Sequence, residues 1–357
     1  MKKLDSYIFK KFFTTFFFSI SLILIIAIIF DISEKIDDFL EHKIPKKEII
    51  NYYLDFIPYF GNLFSHLFVF ISVIFFTSRM ANNSEIIAIM NSGISFKRFL
   101  MPFFATSLIL AFISFILGSF IIPPSNNERI DFENKYLTKK KPSRTKNIHV
   151  QILPEQYIYM QSFNKKRKIG YKFTLEKFKN GKLISKLKSD YIKFDTINQY
   201  WEINNYRIRE FKQDNELIKQ GKKLNISLNL HPDELDNSTN LVETMNYFEL
   251  NKFIKDERMK GSENITFYEI EKHKRIAFPF ASIILTIIGV CISNKKTKGK
   301  IGFHLGIGIL IAFTYIMVMQ VSTTFSINSN VMPYLAVWIP NIIFSIVAFF
   351  LVYKTSK

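Results

Sequence analysis

Arg79-Met-Ala-Asn-Asn-Ser-Glu-Ile-Ile-Ala-Ile-Met-Asn-Ser-Gly-Ile-Ser-Phe-Lys-Arg98 lies between two long apolar runs and is too polar to sit in hydrocarbon. Asn82, Asn83 and Ser84 offer N-cap oxygens, Glu85 falls in the first turn where the helix dipole favours an anion, and Gly93 supplies a C-terminal stop. A helix of roughly two to three turns is expected. Its apolar side chains Ile86, Ile87, Ile89 and Met90 are too many for a solvated loop, and so short a helix needs tertiary contacts to persist. Two coverings are open: the bilayer surface, or another subunit on which the segment docks.

The runs on either side belong to a set of six apolar blocks, each long enough to cross a bilayer, whose hydrocarbon core takes about 20 apolar residues. The first, Phe12 to Phe30, is longer than a signal-peptide core and no small-residue cleavage site follows it, so it reads as a retained span. Asp31, Glu34, Lys35, Asp37 and Asp38 then form a dense interfacial cluster. The second span begins near Ile49 and the third runs from Phe99 to about Ile122, where Pro123-Pro124 is expected to take the chain out of the membrane on an extended path. The last three are Ile276 to Ser293, Ile301 to about Phe325, and Val331 to Tyr353. Gly302, Gly306 and Gly308 in the fifth are small residues that let helices approach closely.

Between the third and fourth spans the composition becomes charged and strand-like. Strands are expected at Gln156 to Phe163, Tyr171 to Phe178, Leu183 to Asp195, Trp201 to Phe211 and Leu224 to Leu230, with Asn180-Gly181 as a hairpin turn. Thr244 to Lys260 reads helical. The fold class is therefore an α+β membrane protein: six transmembrane helices, three plus three, with an inserted extracytoplasmic β-sandwich or jellyroll-like domain. The boundaries are 1–123 for the first three spans with the polar helix at about 80–93, 124–270 for the β-domain, and 271–357 for the last three spans.

A net charge of +18 would suggest nucleic acid in a soluble chain, but the spans and the lack of any binding module exclude that reading. The short basic segments orient the chain instead. The N-terminus, Arg79 to Arg98, the loop of Lys295, Lys296, Lys298 and Lys300, and the tail with Lys354 and Lys357 are net basic, so the positive-inside rule puts both termini and the polar helix in the cytoplasm. The β-domain then lies outside. Cys291 is the only cysteine, so no intramolecular disulfide forms; the six histidines have no metal-ligand spacing, and there is no G-x-x-x-x-G-K-[ST]. No cofactor or metal is expected, and any ATP must be bound by a partner. Other functional classes are an envelope scaffold and a membrane-embedded lipid-modifying enzyme with His66 or His304 as base near Asp55, for which no nucleophile, base and orienter set is evident.

With its layout in view, the chain resembles the LptF/LptG permeases of the lipopolysaccharide-export ABC transporter. Leu4-Asp-Ser-Tyr-Ile8 is similar to that family's N-terminal L-D-R-Y-I, with Ser6 in place of Arg, and Ser84 to Gly93 is similar to its coupling helix. Pro123-Pro124 followed by Arg129 and Tyr136, Tyr200-Trp201-Glu-Ile, and Lys272 to Pro279 extend the match over essentially the whole chain. The resemblance implies a non-catalytic transport subunit of the bacterial inner membrane that pairs with a second LptF/LptG-type permease. Each permease gives its coupling helix to a dimeric cytoplasmic ATPase, and lipopolysaccharide passes through the periplasmic jellyrolls to bridge proteins. It assigns ATPase coupling to Glu85, Ile86, Ile89, Met90 and Gly93. For lipid contact it points to Lys35, near the family's phosphate-contacting position, although Lys35 also reads as a snorkelling lysine paired with Glu34 or Asp31. Within the β-domain, Tyr157, Tyr159, Tyr171 and Phe173 are candidates for its interior.

Overall fold

The computed structural model describes the chain except residues 1–2, 138–143, 165–166, 197, 213–214, 229, 233–239, 263, 295–300, 330 and 357. Lys357 and the Lys295–Lys300 loop, used above for orientation, thus lie outside the described residues. Two compact units are present: residues 1–137, 242–251 and 266–357 form one, and residues 138–241 and 252–265 the other.

Among the described residues, the first unit contains six helices long and apolar enough to cross a membrane. Helix α1 (Lys3–Glu41) and α2 (Lys46–Asn82) precede the short α3 (Glu85–Asn91). At 39 residues, α1 is about 58 Å long, roughly twice the hydrocarbon thickness. The charged interfacial cluster from Asp31 to Asp38 therefore belongs to the same helix, which continues past the apolar run.

The third crossing departs from expectation. It runs as α4 (Phe96–Ile116), a π-helical turn (Leu117–Ile121), α5 (Ile122–Phe132) and a second π turn (Glu133–Leu137). Pro123 and Pro124 do not end the helix but sit in the first turn of α5. The π turn resets the hydrogen-bond ladder, and a first-turn residue has no intrahelical use for the N–H that proline lacks. Asn62 of α2 packs on the bulge: its Oδ1 accepts from Ser114 Oγ at 2.7 Å, and a Cβ on Gly118 would meet its Nδ2 at 3.0 Å.

Helices α8 (Ile265–Ser293), α9 (Ile301–Asn328) and α10 (Pro333–Ser356) pack against α2 through Phe70, Ile74, Leu285, Tyr315 and Val337. Of the glycines expected to allow close approach, Gly308 does so, since a side chain there would collide with Ile74, whereas among the described residues nothing lies near Gly302 or Gly306. A buried polar chain fixes the register of the three helices. Tyr315 donates to Asn341 Oδ1 at 2.9 Å, and Asn341 Nδ2 donates to the Ala277 carbonyl at 2.9 Å.

The second unit is built on a six-stranded antiparallel sheet, β1 (Arg144–Leu153), β2 (Gln156–Asn164), β3 (Ile169–Lys179), β4 (Lys182–Asp195), β5 (Tyr200–Lys212) and β6 (Asn215–Ile226). Its order is β1-β2-β3-β4-β5-β6. The described strands thus form one up-and-down sheet, without the Greek-key crossings of a two-sheet jelly roll, because short links pair each strand with its neighbour in sequence. Asn180 and Gly181 both take positive φ, 50° and 74°, and close β3 onto β4 as a primed turn requires.

One face carries the core, with Ile158, Met160, Phe173, Ile192, Trp201 and Ile203 buried in it. Strand β6 corrects the expected Leu224–Leu230 strand: it begins at Asn215 and stops at Ile226. The remaining Leu228 and Leu230 still pack on the core, so their alternation reported burial and not ladder hydrogen bonds. Pairs from β5 to β6 join Arg209 to Glu216, Lys219 to Glu210 at 3.3 Å and Lys223 to Glu202 at 3.2 Å. The hydrogen bond from Arg209 holds the Glu216 carboxyl below its usual range. After the one-turn helix α6 (Asn240–Glu243), helix α7 (Tyr247–Met259) starts on a reciprocal capping box. Asn246 Oδ1 accepts from the Phe248 and Glu249 amides, and Glu249 accepts from the Asn246 amide at 2.9 Å.

Candidate functional site

Helix α3 is held by α1 at both of its ends. Glu85 sits in the first turn, where Oε2 accepts from Tyr7 Oη at 3.0 Å and Oε1 from Asn83 Nδ2 at 3.1 Å. Beyond α3, Ser95 caps α4 and Arg98 Nη2 donates to Asp5 Oδ2 at 2.8 Å. The N-terminal Leu4-Asp-Ser-Tyr-Ile8 motif therefore has a physical role. Asp5 and Tyr7 clamp the two ends of the α3 segment, Ile8 is fully buried, and Leu4 packs beside it.

The entry to α3 differs from the sequence expectation. Ser84 takes a left-handed conformation, φ 61°, and makes no side-chain cap. The oxygen of Asn83 does not cap either; its amide is turned onto Glu85. A left-handed non-glycine residue costs roughly 1–2 kcal/mol, and it is tolerated here because the flanking helices fix both ends of the turn. The exit is as expected: Gly93 has φ 83° and its N–H bonds the Met90 carbonyl at 3.0 Å.

Orientation of α3 redistributes the roles read from the sequence. Ile86 is 5% exposed and belongs to a core with Ile8, Val73, Met80 and Phe99, while Ile89 and Met90 pack partly against it. These three anchor α3 to its own chain. The outward face carries Ile87, 49% exposed, with Ala88, Asn91 and Gly93. Ile87 and Asn91, four apart, form one stripe. A carboxylate has about four lone-pair sites, so Glu85 keeps acceptor capacity beyond its two internal bonds.

Lys35 is enclosed in a cluster of charge and phenol. Its Nζ lies 2.7 Å from Asp31 Oδ1, 2.5 Å from Tyr52 Oη and 3.7 Å from Glu133 Oε1. Tyr53 donates to Asp31, Tyr52 to Glu133, and Arg129 Nη1 to Glu133 at 2.8 Å while its guanidinium covers the Tyr59 ring. Two cations meet two carboxylates, so the cluster is neutral, and Lys35 pairs with Asp31 rather than with Glu34. Sequence reading missed the roles of Tyr52, Tyr53, Arg129 and Glu133; the i,i+4 spacings of Asp31 with Lys35 and of Arg129 with Glu133 were the available signal.

The four β-domain candidates do not share a face. Phe173 lies in the core, whereas Tyr157 and Tyr159 alternate with the buried Ile158 and Met160 and so point away from it. The Tyr159 ring lies tilted beside His149, and the Tyr157 ring meets Phe178 edge to face. Tyr171 is half-buried and pairs with Ser162 and Tyr191. His66 of α2 is buried between Phe278 and Tyr315, about 16 Å along the helix from Asp55.

Six crossing helices, an inserted antiparallel β-domain and a clamped polar turn between the second and third crossings define a multi-pass membrane protein of the permease kind. The family model described as lipopolysaccharide export system permease LptF/LptG matches residues 6–354, and the chain belongs to that family. No curated protein matches it.

Proposed function

We propose that this chain is one permease subunit of an ABC transporter, paired with a second LptF/LptG-type permease, which extracts lipopolysaccharide from the inner membrane and passes it to a periplasmic bridge. Helix α3 docks on a dimeric cytoplasmic ATPase through Ile87, Asn91 and the free acceptor sites of Glu85. The observation that carries this reading is the clamp: Tyr7 and Asp5 hold both ends of a two-turn helix whose outer face, with Ile87, Ala88 and Asn91, stays exposed among the described residues. A helix that merely floated on lipid would need no fixed carboxylate. The permease itself makes no covalent bond. Co-purification tests the reading: a native mass spectrum of the detergent-extracted complex is expected to contain a P-loop ATPase and a second six-span permease. Catalytic turnover by the isolated chain would reject it in favour of an enzyme.

The orientation assigned to the chain puts both termini and α3 in the cytoplasm, and the β-domain in the periplasm. In a Cys291→Ser background, Asn91→Cys is expected to resist an impermeant thiol reagent in intact spheroplasts and Gln220→Cys to react. Both positions are exposed in the fold, and Asn91→Cys is expected to react once the membranes are opened and the ATPase is stripped off, which separates the membrane barrier from cover by the docked partner. The reverse pattern would remove the coupling role.

Transfer through the β-domain is expected along its core-facing side. Photo-crosslinkers at Ile158 and Met160 in an active transporter should capture lipopolysaccharide, and those at Tyr157 and Tyr159 should not, because successive residues of a strand face opposite ways. Equal capture at all four positions would refute an internal path.

A further inference from the structure

A groove of ≈ 490 Å³ runs between α1 and α2 next to Glu85. Its wall is apolar where the two spanning helices face outward: Phe18 is 69% and Phe75 39% exposed. Its rim is polar and cationic, with Lys11 and Thr14 on α1 and Arg79 on α2. Lys11 and Arg79 are exposed, and neither makes an ion pair among the described residues. The carboxylate in the groove is Glu85, already engaged by Tyr7 and Asn83.

We propose that this groove binds an anionic phospholipid from the leaflet at the α3 end of the helices. Lys11 and Arg79 take the phosphate, the Thr14 hydroxyl adds a donor, and one acyl chain lies along Phe18 and Phe75. Three features favour a lipid over another occupant. The two walls are membrane-crossing helices, so the groove opens sideways into a bilayer. Cationic rim and apolar wall complement the two halves of an anionic amphiphile. The neighbouring N-terminal segment adds exposed Lys3 and Lys10, which raise the local anion concentration. The bound headgroup would lie beside the Tyr7–Glu85 hydrogen bond, so lipid occupancy would bear directly on the position of α3. This goes beyond the transport role proposed above and holds whichever way the chain faces.

The test uses the full chain in nanodiscs that contain phosphatidylglycerol or phosphatidylcholine, followed by native mass spectrometry of retained lipid. Wild-type protein is expected to keep phosphatidylglycerol and lose phosphatidylcholine. Lys11→Ala and Arg79→Ala should each retain about fivefold less and the double variant more than tenfold less, at unchanged melting temperature. Lys354→Ala, an exposed lysine outside the groove, should behave as wild type. Equal retention of both lipids, or full retention by the double variant, overturns the proposal. A photo-crosslinker at Thr14 in the assembled transporter supplies a second readout. A lipid adduct supports the site, and an adduct with a second membrane protein shows that a partner helix fills the groove instead.

Discussion

Glu85→Lys is expected to express, insert and melt nearly as wild type, yet to abolish lipopolysaccharide release. A carboxylate in the first turn of a helix contributes about 0.3–1 kcal/mol through the dipole, and loss of the Tyr7 hydrogen bond adds about 1.5–3 kcal/mol at most. Both costs fall on a short surface helix that Ile86, Ile89 and Met90 still anchor. At a docked interface the same carboxylate can accept a charge-assisted hydrogen bond from a cation of the ATPase. Truncating one partner of such a buried pair costs about 2–5 kcal/mol, and a lysine adds like-charge repulsion.

Three companion variants separate docking, clamping and packing. Tyr7→Phe removes the internal bond but leaves the carboxylate, so it should retain most activity. Ile87→Asp should lose ATPase binding at normal melting temperature, whereas Ile86→Asp should destabilise the fold because it buries a charge in the helix core. Export by Glu85→Lys at the wild-type rate would sink the docking role, since anionic lipid would welcome a lysine there.

Which parts of this architecture were legible in the sequence follows from which forces write a periodic signal. The apolar runs and the α3 stop at Gly93 were readable because hydrocarbon thickness and left-handed backbone each demand particular residues. The face of α3 was not. Ile86, Ile87, Ile89 and Met90 fall within one arc of roughly 160° on a two-turn helix, with Ile87 at its edge, and nothing local says that the core stops short of Ile87. Pro123-Pro124 misled for a related reason: the π turn that accommodates the pair is a property of the packed helices around Asn62, not of the dipeptide. Strand β1 and the first half of β6 escaped: β1 opens on the basic stretch Arg144 to Lys146 ahead of its alternating Ile148, Val150 and Ile152, and the edge strand β6 is exposed from Asn215 to Gln220 and bears the charged pairs to β5. Within the site, Glu85 was visible by its cap position, but its tie to Tyr7, 78 residues away, depends on how α1 and α3 meet.

Trp201→Ala is expected to unfold the β-domain while it spares the membrane helices. The indole is 1% exposed, packs edge-on against Phe194 at 5.1 Å and Phe163 at 6.4 Å, and donates from Nε1 to the Leu230 carbonyl at 2.9 Å. Truncating a buried tryptophan costs about 3–5 kcal/mol, and the orphaned carbonyl adds about 1–3 kcal/mol. Those losses are comparable with the whole stability of a typical small domain, about 5–15 kcal/mol. Limited proteolysis of the full chain in detergent should then cut within residues 144–226 and leave the helical unit intact. Trp201→Phe keeps the ring but not the donor, so it should show intermediate resistance. Because α3 is clamped through α1 and α4, both in the helical unit, ATPase binding should survive in Trp201→Ala although lipid transfer is lost. That dissociation is the opposite of the one expected for Glu85→Lys, and protease resistance of Trp201→Ala equal to wild type would show that Trp201 does not hold the sheet together.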